Sequence, residues 1–172
     1  YKAARMIYYA IEVARVCRTD DLEAFHLTDF VDDVREVVLK SRHRSYPILD
    51  ENDKVIRPAL LWNDGRTQAE CDYLNNEIGR EKISSYTANM ALTGFTAPKI
   101  LWVRNNEPEY FARIKKVMLP KDYVAYMLSG VHCTDVSDAS GMLLFDVKNK
   151  RWSKEMLDIC GLKEEQMAKV FE

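Results

Sequence analysis

Arg57-Pro58-Ala59-Leu60-Leu61-Trp62-Asn63-Asp64-Gly65-Arg66-Thr67 carries the signals of a strand, a sharp turn and a helix start in succession. Pro58 starts an extended apolar run, Ala59 to Trp62, short enough for a strand. Asn63-Asp64-Gly65 ends it, because Asn and Asp side chains bond to nearby backbone and glycine tolerates positive φ. Thr67-Gln68-Ala69-Glu70 then matches a capping box, in which hydroxyl and carboxylate satisfy each other's backbone amides, so a helix is expected to begin there. A strand that passes through a sharp turn into a helix is the elementary step of an α/β fold, and such turns lie at sheet edges where α/β folds bind ligands.

The same mixture continues outward from this stretch. Upstream, Ile48-Leu49, the turn Asp50-Glu51-Asn52-Asp53, and Val55-Ile56 read as a short hairpin. Further back the texture is helical. Ala3, Ile7, Ala10, Ile11 and Ala14 recur at helical spacing over residues 2–17, and Thr28 caps a second amphipathic helix carrying Phe30, Val34, Val37 and Val38. Ser41-Arg42-His43-Arg44-Ser45 is a polar break. Downstream, Gly79 is a natural stop for the helix begun at Thr67. Thr96 can cap another helix, with Pro98 tolerated in its first turn. Glu107-Pro108-Glu109 opens a further helix through Ile114, Val117-Met118-Leu119 is a candidate strand, and Tyr123 to Leu128 is helical up to Gly130. Leu143-Leu144-Phe145 is strand-like, and Ser153 caps a helix that Gly161 ends. Two parts result: a helical segment over 1–45 and a mixed α/β region over 46–172.

Composition bounds the function. The chain has 172 residues, enough for one domain or a piece of a larger one, with 47% hydrophobic and 30% charged residues. A formal net charge of −2 supplies no basic face for nucleic acid. No apolar run reaches the roughly 18 residues that a membrane span requires. The first residues, Tyr1-Lys2-Ala3-Ala4-Arg5, lack the layout of a secretory signal. Cys17, Cys71, Cys133 and Cys160 lack the close spacing of a zinc site or redox pair, and His26, His43 and His132 are scattered. Reduced thiols in a cytoplasmic protein are the expectation.

Three segments acquire meaning when read together: Arg57 to Thr67; Leu92-Thr93-Gly94-Phe95-Thr96-Ala97-Pro98-Lys99-Ile100-Leu101-Trp102-Val103; and Leu119-Pro120-Lys121-Asp122-Tyr123 continuing to Thr134-Asp135-Val136-Ser137-Asp138-Ala139-Ser140-Gly141. Their order and separation resemble the amino-terminal domain of the FGGY carbohydrate kinases, most closely the xylulose kinase branch, over residues 48–172. The resemblance implies an α/β fold, an incomplete actin-like (ribonuclease-H-like) ATPase domain preceded here by the helical segment. It also implies a cleft between two such domains, with a small sugar, a ketopentose, against the first and ATP with magnesium against the second. Partners implied are the sugar and the kinase's carboxy-terminal domain or a second copy of the chain.

On that resemblance Trp62, Asn63, Asp64, Arg66 and Thr96 are expected to face the sugar. Trp62 can lay its ring on C–H groups, Asn63 and Asp64 can bond vicinal hydroxyls, and Arg66 can orient Asp64 or face an anion. Structural readings stand beside these. Trp62 can be core, Asn63-Asp64-Gly65 only a turn, Thr96 only a helix cap, and Phe95 and Lys99 packing residues. Asp135 and Asp138 read as a capping run before a short helix, and Trp102 and Trp152 as core.

The sequence also departs from the family pattern. Residues 1–40 contain no glycine, where the family carries a glycine-rich hairpin that approaches ATP phosphates. The family's Gly-Gln-Met-His-Gly is replaced by Ser41-Arg42-His43-Arg44-Ser45. The family's general base and ATP domain lie beyond Glu172. No catalytic residue is therefore assigned, and tight binding of ATP or magnesium by this chain alone is not expected. Two functions remain open: part of a kinase acting on D-xylulose, or a catalytically inactive sugar-binding or protein-interaction module derived from one.

Overall fold

The structure is a computed structural model, and it describes residues 48–58, 60 and 63–171. The helices expected over 2–17 and after Thr28, the polar break at 41–45, Cys17, His26, His43 and Trp62 lie outside the described residues.

The hairpin begins with β1 (Ile48–Leu49). Leu49 bridges Val55, Ile56 N donates to Ile48 O at 3.0 Å, and Asp50 N donates to Lys54 O at 3.0 Å. Asp50 builds the turn, since its Oδ1 accepts from the amides of Asn52 (2.9 Å) and Lys54 (3.1 Å). The other edge of β1 pairs antiparallel with β2 (Lys116–Val117), Ile48 opposite Val117.

A 3₁₀ turn, Gly65–Thr67, leads into α1 (Gln68–Asp72), π-helical turns over Tyr73–Gly79, and α2 (Arg80–Thr87). The capping box of Thr67 and Glu70 does not form, because the 3₁₀ turn starts the helix earlier and buries Thr67. Its hydroxyl goes to Thr93 O at 3.4 Å, while Glu70 Oε1 accepts from Asn105 Nδ2 at 3.3 Å. Gly79 ends the π-helical turns as expected: at φ 99° and ψ 132° its backbone leaves the helical region, and it serves as the N-cap from which α2 starts anew, with Leu74 and Ile83 fully buried on either side. α2 ends at Ala88, in the left-handed region at φ 58°.

The central helix is α3 (Thr96–Asn106), which buries Ala97, Ile100, Leu101 and Val103. Its N-cap is Phe95, so Thr96 is the first helical residue rather than the cap. The Ala97 amide instead donates to Met142 O at 3.0 Å, and Pro98 sits in the first turn as expected. After α4 (Pro108–Phe111), shorter than expected, come β2 and α5 (Pro120–Ser129), which Gly130 closes at φ 70°.

The remainder alternates tightly. β3 (Cys133–Asp135) pairs in parallel with β6 (Lys169–Phe171), and α6 (Val136–Ser140) follows β3 directly. β4 (Phe145–Asp146) and β5 (Arg151–Trp152) form a small antiparallel pair. Of the strand-like Leu143-Leu144-Phe145, only Phe145 enters β4, because Leu143 turns at φ 60°. α7 (Lys154–Cys160) is capped by Ser153, whose Oγ accepts from Met156 N at 3.3 Å, and ends at Gly161. One continuous core runs beneath these elements, from Leu74 and Ile83 through Leu101 to Leu143, Leu144, Phe145 and Met156. Trp152 belongs to it, with its indole N–H given to Ala168 O at 2.8 Å.

Candidate functional site

The Asn63–Arg66 turn is positioned from behind by α3. Neither Pro58 nor Leu60 lies in a strand, so the strand expected before the turn is not seen at its described positions; Leu60 is buried. Asn63 is exposed and Asp64 half-buried. Asp64 caps the 3₁₀ turn by accepting the Arg66 amide at 3.0 Å, and the same carboxylate grips the Arg66 guanidinium. Nε donates to Oδ1 (3.0 Å) and Oδ2 (2.9 Å), and Nη2 lies 2.9 Å from Oδ2. Arg66 thus faces Asp64 through its Nε and Nη2 groups. These bonds to Arg66 hold the Asp64 carboxyl below its ordinary range, so it is ionised at neutral pH.

Arg66 in turn lies over the Trp102 ring, with Cζ 4.9 Å from the centroid. Arg57 Cζ approaches the same ring at 5.9 Å. Arg57 is anchored to Glu107: Nη2 donates to Oε1 at 3.2 Å, and Nε stands 2.5 Å from Oε2 as an ion pair without hydrogen-bond angles. Sequence reasoning placed Trp102 in the core. It does pack against the core, but it is only partly buried and also carries Arg66. Its spacing from Lys99 and Asn105, three residues each way on one helix face, is the signal that could have shown this.

Lys99 is 3% exposed and donates to Gly94 O at 2.9 Å. Burial pulls its ammonium down to about 8, against the opposing charges of Asp64 and Cys71. Cys71 is pushed up to about 11 by burial and by the neighbouring Asp72 and Glu70, which makes it an unreactive thiol. Thr96, expected at the sugar, is fully buried, and its Oγ1 has no hydrogen-bond partner among the described residues. The structure therefore brings Asn63, Asp64 and Arg66 together and places Thr96 inside the fold.

A second polar cluster lies at the start of α5. Lys121 Nζ meets Asp122 Oδ1 at 2.6 Å, Asp135 Oδ2 at 2.7 Å, Asp138 Oδ2 at 3.5 Å and Thr134 Oγ1 at 3.4 Å. Burial would lower the Lys121 ammonium, but Asp122 and Asp135 outweigh it and hold it above its ordinary value. Asp135 also caps α6, accepting Asp138 N at 2.9 Å, as the capping reading expects. Asp122 accepts the Leu119 amide at 3.0 Å, the half of a capping box that leucine permits. Because Lys121 fills the centre of these carboxylates, they do not fit a magnesium ion. Among the described residues no other group of three or more His, Cys, Asp or Glu side chains could hold a metal.

The arrangement of short strands and helices is shared with sugar kinases of known structure. A crystal structure of a xylulose kinase from Brucella ovis matches 75% of this chain, 26% of its own length, with a TM-score of 0.71 and 42% identity. Gluconate kinase from Lactobacillus acidophilus matches over the same shares with a TM-score of 0.70 and 26% identity. The fold is thus that of a partial actin-like ATPase domain of the sugar-kinase class.

The model of the FGGY family of carbohydrate kinases, N-terminal domain, matches residues 31–172, and the chain belongs to that family. Within it the chain is similar to xylulose kinases. That of Lactococcus lactis is 39% identical over 158 residues, which is 92% of this chain, and that of Escherichia coli K12 is 41% identical over 140 residues. The chain spans less than a third of the length of these relatives, 31% and 28%. The match begins at residue 31, upstream of the residue 48 from which the three segments carry it. The relatives named here are kinases and lend no support to the alternative of an inactive module. No helix among the described residues is long and apolar enough to cross a membrane.

Proposed function

We propose that this chain forms the sugar-facing part of an ATP-dependent kinase that phosphorylates D-xylulose, with Trp62, Asn63, Asp64 and Arg66 toward the sugar. The observation that carries the reading is the ionised Asp64 carboxylate, fixed by the Arg66 fork beside the exposed Asn63 amide. An oriented carboxylate next to an amide can accept from one hydroxyl and bond its neighbour, the pattern a vicinal diol presents. The low proton affinity that Arg66 imposes makes Asp64 an acceptor that orients the hydroxyl rather than a general base. ATP would supply the phosphoryl group.

Calorimetric titration with D-xylulose tests the reading. A charged hydrogen bond contributes about 1.5–3 kcal/mol, so Asp64→Asn should weaken binding roughly 10- to 100-fold. Binding of D-xylulose that is indifferent to Asp64→Asn and Asn63→Ala would remove the sugar from this turn.

A further inference from the structure

We propose that Trp102 is a positioning residue for the sugar site, its ring holding the Arg66 guanidinium and, through that fork, the Asp64 carboxylate. The inference rests on the sugar-facing reading of Asn63–Arg66 and deepens it.

The geometry is a row on one face of α3. Lys99, Trp102 and Asn105 are spaced by three, so they stand above one another along the helix. Each meets the segment 64–70 or the loop that supports it. Asn105 Nδ2 bonds Glu70 Oε1 at 3.3 Å, the Trp102 ring carries Arg66, and Lys99 Nζ bonds Gly94 O at 2.9 Å. Thr67 joins the two segments again through Thr93 O at 3.4 Å.

Trp102 is the member of that row that touches Arg66, whereas Lys99 acts on Asp64 through its charge alone. The edge of the guanidinium is engaged by Asp64, while the ring 4.9 Å from Cζ limits how the planar group can tilt. Arg66 is otherwise loosely restrained, since 44% of its side chain is exposed. Arg57, 5.9 Å from the same ring and paired with Glu107, keeps a second cation against Trp102. A ring held in this way acts on the sugar only by deciding where the carboxylate points.

A double-mutant cycle on D-xylulose affinity tests this in the full chain. Trp102→Met keeps apolar bulk and removes the ring, and should weaken binding roughly 3- to 30-fold, the range of a cation–π contact. Trp102→Phe should recover most of the loss. In an Arg66→Ala background, Trp102→Met should cause no further loss, because the ring's link to the Asp64 carboxylate runs through Arg66 alone. An equal loss in both backgrounds would show general packing and overturn the proposal, as would unchanged binding in Trp102→Met alone. If Arg66→Ala and Asp64→Asn both leave D-xylulose binding intact, the sugar-site reading itself fails, which is a different result from the failure of Trp102 alone. Should Trp102→Met not fold, Trp102→Tyr carries the cycle, and its smaller loss must likewise vanish when Arg66 is alanine.

Discussion

A buried lysine beside a polar turn is an electrostatic cost that the sequence alone does not reveal. Lys99 stands in an apolar helix, and its spacing says only that it shares a face with Trp102. Burial draws it to about 8 from the ordinary 10.5, so between those values the unfolded chain holds the proton more tightly than the folded one. Stability then rises with pH across that window, and the penalty is carried in full below about pH 8. Lys99→Met removes the titration. Its stability advantage over the wild type should be largest near pH 7.5 and shrink toward pH 10.5 in thermal unfolding. A difference that does not change with pH would mean that Lys99 keeps an ordinary affinity for its proton. The Asp64–Arg66 pair was more legible, because two residues separated by one glycine in a turn have little freedom to avoid each other. Thr96 was misread for the opposite reason. A threonine before a helical run has the chemistry of a cap, but the helix starts one residue earlier with Phe95 as its N-cap, and the Ala97 amide is taken by Met142 O.

Among the elements, α5 and α6 are joined by charge rather than by apolar contact alone. Lys121, in the first turn of α5, reaches the N-cap carboxylate of α6 and a buried carboxylate one residue along its own chain. The side chain of Asp122 is 1% exposed, so removing its counter-ion leaves an unpaired carboxylate in the interior. Lys121→Met should cost about 3–5 kcal/mol in urea unfolding, with the slope on denaturant unchanged. Adding Asp122→Asn should restore part of the loss, and a neutral Lys121→Met would exclude the ion pair as a structural tie. Element existence was read well from sequence in this region, since Ser153, Gly130 and Gly161 cap or close their helices as their chemistry dictates.

For the whole molecule, α3 is the element against which α1, α4 and α7 pack. Leu101 is fully buried at its centre, and Leu101→Ala should cost about 2–5 kcal/mol and lower the single cooperative transition seen by circular dichroism. A second, separate transition would show that α3 does not join the parts into one unit. Length, charge and local patterning determined that this is a mixed α/β chain, and the ordered triplet of segments around Trp62, Lys99 and Asp135 determined its resemblance to the carbohydrate kinases. These are properties of neighbours in sequence, where turn chemistry, capping and residue order act over a few positions. Only the tertiary structure decided that Arg66 is held by Trp102, that Lys121 fills the acidic cluster, and that Thr96 lies inside. Those facts depend on which faces meet across dozens of residues, and burial, which sets the balance between desolvation and charge pairing, is defined only once they have met.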